Sequence, residues 1–339
     1  MRIGLAGAGR IGAFHASTLA ALDGVEEVVV TDAVPDSARR LADERGYRAV
    51  AELDDLLGQV DALVVTSSTA SHATIVTAAV EAGVPTFCEK PVALTVAETE
   101  RVAELVEARS AVVQVGFQRR FDAGYRAARE AVRSGELGFV HSVRATTHDQ
   151  SPPPAQYLPT SGGLFRDCSV HDIDIIRFVT GREVRSVMAV GANKGEDFFT
   201  GAGDVDTAAA VLVLDDDTLV SLSATRYNGA GHDVRMEVAG SLGAVGVGYD
   251  HSLALRSLEA DVDYPRGPQH QSFMERFLPA YRAELAEFTR VAAGEAPSPC
   301  TVHDALQAFR VTEACEVSRA ERRPVEVSEI GGRVAAGAA

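Results

Sequence analysis

The run Gly7-Ala8-Gly9-Arg10-Ile11-Gly12 constrains this chain most, because it follows the strand-like Arg2–Ala6 directly and opens the helical pattern Ile11–Ala21. Glycines at those three places permit a tight turn, let backbone approach a pyrophosphate and pack helix on strand. The helix start then offers N–H groups and the positive end of its dipole to phosphates. Alone, the pattern also fits a glycine-rich turn without a ligand. Asp32 sharpens it, standing twenty residues past Gly12 at the end of the second strand-like run, Val28–Thr31. A carboxylate there accepts hydrogen bonds from both ribose hydroxyls and repels a 2′-phosphate. The expectation is a site for NAD rather than NADP, built from Gly7, Gly9, Arg10, Ile11, Gly12 and Asp32.

The rest of residues 1–120 keeps this rhythm. Strand-like runs at Ala62–Thr66, Thr86–Cys88 and Val112–Val115 alternate with helical patterns at Asp36–Glu44, Ser71–Ala82 and Thr95–Ala108. Parallel βαβ units produce such alternation, so a doubly wound Rossmann sheet is predicted. Beyond Gly116 the pattern changes. A helix at Asp122–Ser134 and a strand at Gly138–Thr147 lead to the proline-rich Ser151-Pro152-Pro153-Pro154, which suits a substrate-facing loop. A helix at Phe165–Thr180 precedes strand candidates at Ser186–Ala192, Thr207–Leu214, Leu219–Thr225, Val234–Ala239 and Leu253–Leu258, joined by short turns. The second half therefore reads as an α/β domain with a large open, mostly antiparallel sheet. Helices at Phe277–Ala292 and Val302–Arg319 close it. The expected division is 1–120 for the dinucleotide, 121–330 for substrate and oligomer contacts, and a loose tail from Gly331 to Ala339.

Charge and cysteine content narrow the partners. Thirty-two Lys and Arg against 48 Asp and Glu give a formal charge of −16, which repels nucleic acid. That charge serves solubility or, alternatively, steers a cationic substrate. Apolar stretches are too short to span a bilayer and no secretory leader is discernible, so the expected setting is the cytoplasm, without a membrane partner. Cys88, Cys168, Cys300 and Cys315 form no Cys-x-x-Cys pair, which argues against a zinc site or a disulfide framework.

Two further clusters carry chemistry. Lys90, between Glu89 and Pro91, lies just past the C-terminal end of a strand, where open α/β sheets bind ligands. In the helical run after Phe165, Asp167, His171 and Asp174 share one stripe at about 100° per residue. Burying two carboxylates and an imidazole is costly unless they are paired or face a wet cleft. The stripe is thus either a buried His–Asp pair that holds the helix or the proton-abstracting group of an alcohol oxidation.

Together the phosphate turn, Glu89-Lys90-Pro91, Val115-Gly116-Phe117-Gln118-Arg119-Arg120-Phe121-Asp122 and Asp167-x-x-x-His171-x-x-Asp174 resemble the Gfo/Idh/MocA oxidoreductases, inositol dehydrogenases most of all. The likeness runs from Gly7 to about Val325 and takes in Arg276-Phe277-x-x-Ala280-Tyr281. It implies an NAD-dependent dehydrogenase acting on CH–OH, assembled as a homodimer or homotetramer through the open sheet. Lys90, Asp167 and His171 match catalytic positions. Ser67, Thr69, His72, Glu89 and Lys90 match cofactor contacts, and Arg119, His148, Gln150, Asp174 and Tyr281 match substrate contacts. Ser151–Thr160, with its three prolines, departs from the short polar loop of inositol dehydrogenases, and Gln118 departs within the Arg119 segment. The catalytic set is intact while the substrate walls differ. The expected substrate is a polyol ring, a cyclitol or sugar. An aminocyclitol or aminoglycoside sugar of antibiotic biosynthesis is the alternative, since ammonium groups would pair with Asp167 and Asp174. A glycosidase that uses NAD transiently and a non-catalytic NAD sensor are the other classes.

Overall fold

The structure is a computed structural model and describes residues 1–331. The tail expected from Gly331 therefore lies, past its first residue, outside the described residues. The chain forms two compact units. One is Met1–Gln118 with Pro279–Gln307, and the other is Arg119–Leu278 with the chain from Ala308 onward.

The first unit contains β1 (Arg2–Ala6), β2 (Glu27–Thr31), β3 (Arg48–Ala49), β4 (Ala62–Val65), β5 (Thr86–Glu89) and β6 (Val113–Gly116). They pair in the order β3-β2-β1-β4-β5-β6, all parallel. The order reverses between β1 and β4, the switch point where such sheets bind ligands at their carboxyl ends. Strands covered on both faces need near-continuous apolar residues, and Val28, Val29 and Val30 meet that need, as do Leu63, Val64 and Val65. Each fully buried Leu or Val contributes about 1.5–3 kcal/mol relative to exposure.

The domain division expected at residue 120 is corrected by Pro279–Gln307, which returns to this unit. Leu285 and Phe288 join the core of Ile3, Leu5, Val30 and Val64, and Phe288 packs on Phe87 with ring centroids 5.7 Å apart. The Val115 N–H donates to the Cys300 carbonyl at 2.9 Å, satisfying backbone that the edge strand β6 would otherwise leave open. A linear reading of element rhythm has no means of sensing that return.

The second unit holds β7 (Val140–His148), β8 (Val184–Ala192), β9 (Thr207–Leu214), β10 (Leu219–Thr225), β11 (Asp233–Gly240), β12 (Ala244–Val247) and β13 (Val325–Glu326). Their order is β12-β11-β7-β10-β9-β8-β13, antiparallel except for β7 with β10. The strand expected at Leu253–Leu258 is absent, and the segment is irregular. Leu253 and Ala254 are buried while Leu255 and Leu258 project into solvent, so its apolar residues serve no ladder. The actual edge, β12, is the short Ala-Val-Gly-Val. On one sheet face Met188, Val190, Val211 and Leu219 stay exposed, with Met188 opposite Val211 and Val213 opposite Leu219. All four cysteines are buried and unbridged. Among the described residues no helix is long and apolar enough to cross a membrane.

Candidate active site

The glycine turn is built as its spacing requires. Gly7 has φ +115° and donates its N–H to the Thr31 carbonyl at 2.9 Å, and a Cβ there would stand 2.4 Å from the Ser67 nitrogen. A Cβ on Gly12 would stand 1.9 Å from the Gly7 oxygen. Gly9 differs, since a Cβ added to it meets nothing within 4 Å among the described residues. It caps the helix Arg10–Leu19, whose first turn holds neither a side-chain cap nor an acidic residue. An open backbone corner before an uncapped helix start is what a pyrophosphate needs.

Asp32 faces this corner. Its Oδ2 accepts the Ala8 N–H at 2.7 Å and its Oδ1 accepts the Val34 N–H at 2.8 Å, so the carboxylate is oriented with lone pairs to spare for ribose hydroxyls. These residues fit NAD. Gly9→Ala should accordingly fold with an unchanged melting temperature yet bind NAD at least about tenfold more weakly, by fluorescence titration, because its methyl fills the phosphate approach. Gly12→Ala should instead lower the melting temperature, because its methyl collides with backbone. Equal affinity for NAD in Gly9→Ala would remove the phosphates from this turn.

The other expected cofactor contacts divide. Ser67, on the loop after β4, and Thr69, the first residue of the helix Thr69–Glu81, are partly exposed, and Ser67 Oγ lies 2.8 Å from Ser71 Oγ. His72 is buried, with Nδ1 2.7 Å from the Pro91 carbonyl and Nε2 3.1 Å from the Ser67 carbonyl; both carbonyls only accept, so a ring with one N–H donates to one of them, and the shorter contact is the one to Pro91. Glu89 ends β5, and Lys90 follows it partly exposed. Tyr281 lies in this same unit, buried edge-on against Phe14 and His15 at 5.2 and 5.8 Å.

In the second unit the expected continuous helix starts as a π turn, Phe165–Ser169, and becomes α-helical only at Val170–Thr180. The wider turn breaks the 3.6-residue spacing from which a shared stripe was inferred, and such turns recur at functional sites. Asp174 is wholly buried and takes Arg120 Nε and Nη2 at 2.8 and 2.6 Å. Asp167 Oδ2 accepts Arg226 Nη2 at 2.7 Å, and its Oδ1 accepts the Tyr157 hydroxyl at 3.0 Å. His171, half-buried, sits in the first turn of the α-helical part.

Arg226, which sequence reasoning missed, anchors this corner. It also donates to Asp149 at 2.9 Å and to Cys168 Sγ at 2.9 Å. Burial works against its charge, but Cys168, Asp167 and Asp149 hold its proton more firmly than usual. Burial would likewise raise the Asp149 carboxyl, yet His232 and Arg226 keep it below the ordinary carboxylate range. One signal was present: Val220, Leu222 and Ala224 point inward on β10 and Arg226 continues that parity, as Asp149 continues Val143, Ala145 and Thr147 on β7. A charged residue in an inward phase demands a partner.

Arg119, expected at the substrate, is buried on Asp172 at 2.5 Å and Thr147 at 2.9 Å. His148 Nε2 lies 2.9 Å from Ser223 Oγ, and burial holds its imidazole below the usual range. Gln150 donates to Gln271 at 2.6 Å. The second unit thus brings Asp167 together with Arg226 and Tyr157, while Arg119 and Asp174 are engaged by partners within the fold.

The parallel sheet, the open glycine turn and Asp32 define an oxidoreductase with an NAD-binding Rossmann fold. Residues 1–117 match the oxidoreductase family of that description, and residues 125–246 match the GFO/IDH/MocA C-terminal domain, so the chain belongs to the GFO/IDH/MocA family. It is 40% identical to the myo-inositol dehydrogenase Hyg17 of Streptomyces leeuwenhoekii, over 94% of this chain and 97% of that one. It is 34% identical to the myo-inositol 2-dehydrogenase of Thermotoga maritima, over 98% and 100%. Among solved structures, a scyllo-inositol dehydrogenase from Lactobacillus casei with bound NAD(H) and scyllo-inositol superposes with a TM-score of 0.87 at 29% identity, covering 97% of this chain and 99% of that one.

Proposed function

We propose that this chain oxidises a secondary ring hydroxyl of a neutral cyclitol to the ketone, with His171 as general base and Lys90 as the group that stabilises the developing alkoxide. NAD, when bound, supplies the hydride acceptor. Gly9, the start of the helix Arg10–Leu19 and Asp32 would hold it. The imidazole of His171 takes the hydroxyl proton, and the Lys90 ammonium donates a charge-assisted hydrogen bond to the oxygen. Asp167, clasped by Arg226 and Tyr157, is an oriented carboxylate that accepts from the substrate or from His171.

The observation that carries the neutral substrate is the pairing of Asp167 and Asp174. Asp174 is answered by Arg120, and Asp167 already accepts from Arg226 and Tyr157. An ammonium group would therefore have to compete with a guanidinium already bound at each of these two carboxylates. The full-length likeness to inositol dehydrogenases supports a cyclitol over an open-chain sugar. We place the enzyme in the cytoplasm, where four unbridged thiols are at home, and read the exposed face around Met188, Val190, Val211 and Leu219 as covered by a second copy in a dimer or tetramer.

NADH production across inositols, aldoses and aminosugars tests the reading, repeated with NADP. NADH should accumulate with at least one neutral inositol, and NADP should be used at least about tenfold less well because of Asp32. Turnover of aminosugars alone would sink the neutral substrate. Cleavage without net NADH would point to a glycosidase, and NAD binding without any turnover to a sensor.

A further inference from the structure

We propose that His15 is a positioning residue for Lys90 and acts through Glu89. The inference rests on the reading of Lys90 given above. His15, on the helix Arg10–Leu19, is completely buried in an aromatic box, with ring centroids 5.6 Å from Phe14, 5.7 Å from Phe87 and 5.8 Å from Tyr281. Its Nε2 lies 2.6 Å from Glu89 Oε1, while its Nδ1 has no hydrogen-bond partner among the described residues. A carboxylate only accepts, so the proton belongs on Nε2, and the bare lone pair on Nδ1 costs less than a buried N–H without an acceptor.

The other Glu89 oxygen accepts the backbone N–H of Lys90 at 3.2 Å. Room for that carboxylate comes from Gly116, where a Cβ would stand 2.9 Å from Phe87 and 3.1 Å from Glu89 Oε2. One residue past Lys90, the Pro91 carbonyl is held by His72 Nδ1 at 2.7 Å. Lys90 is thus bracketed: an imidazole grips the residue before it by the side chain, and a second imidazole grips the residue after it by the carbonyl. An imidazole–carboxylate pair inside an aromatic core is dearer than an apolar pair of equal volume, so stability alone does not account for it. A lysine is a point charge on a flexible stem, and fixing its backbone is the lever a fold has on where that charge goes. A shift of about 1 Å at such a group costs about a hundredfold in rate.

Two isosteric variants separate reach from bulk. His15→Gln places an N–H where Nε2 stands, and His15→Asn places one where Nδ1 stands, too short for Glu89. His15→Asn should lower kcat about 10–100-fold, with His15→Gln within a few-fold of wild type and NAD affinity within about twofold in both. In a Lys90→Ala background His15→Asn should cost nothing further, whereas a merely structural loss would add. If His15→Asn does not fold, Glu89→Ala removes the same strap and should show the same non-additivity. Equal kcat for the Asn and Gln variants overturns the proposal. So does a full additional loss on top of Lys90→Ala, and that outcome leaves the role of Lys90 standing. Unchanged turnover in Lys90→Ala alone overturns the reading of Lys90 and this inference with it.

Discussion

Lys90→Ala and His171→Ala should each lower kcat by about 10²–10⁴-fold, the range that a positioned acid–base or charge-stabilising group supplies, while both variants still bind NAD in fluorescence titration. Neither side chain belongs to the glycine turn or to the Asp32 contacts, so cofactor affinity and turnover should part company. The two losses report on one transition state and should combine to less than their product in the double variant. Near-normal turnover in both would leave the nucleotide site without a chemical role for these residues.

The second large effect is on stability. Asp174→Ala removes the carboxylate from a buried, bidentate pair whose side chains are 1% and 6% exposed, taking from the buried Arg120 guanidinium its bidentate acceptor. Breaking such a pair from one side costs about 3–5 kcal/mol, measurable in urea unfolding. Replacing both partners together, as Asp174→Leu with Arg120→Met, should restore much of that loss, because no charge is then left uncompensated. The resemblance to inositol dehydrogenases put Asp174 at the substrate instead. If Asp174→Ala raises the substrate KM and leaves the urea midpoint in place, that role stands and the structural one falls.

The contrast between these residues tells what can be read from sequence. The glycine turn and Asp32 were legible because their physics is local, a tight turn and a strand end at fixed spacing. The place of Lys90 just past a strand end was legible because the β-rich run before it is short and sharply bounded, and β5 does end at Glu89. Asp167 and Asp174 were seen as chemically unusual, but their partners were not, since Arg226 and Arg120 come from elsewhere in the chain and only the pairing of β7 with β10 makes Arg226 a neighbour of Asp149. The π turn at Phe165–Ser169 leaves no mark on apolar periodicity, so a helical wheel placed Asp167 and Asp174 on one face. Strands of two to four residues, such as β3, β12 and β13, are too short to display a period at all.

The contact between Asp32 and the Ala8 N–H has a consequence for changing the cofactor. On the proposed NAD site, the carboxylate that would repel a 2′-phosphate is also a strut of the glycine turn. Discrimination and assembly are therefore carried by one side chain. A switch toward the phosphorylated cofactor cannot be a single exchange at this position, because removing the repulsion also unfastens the turn, and a second residue must take over the Ala8 N–H before the new preference becomes usable affinity.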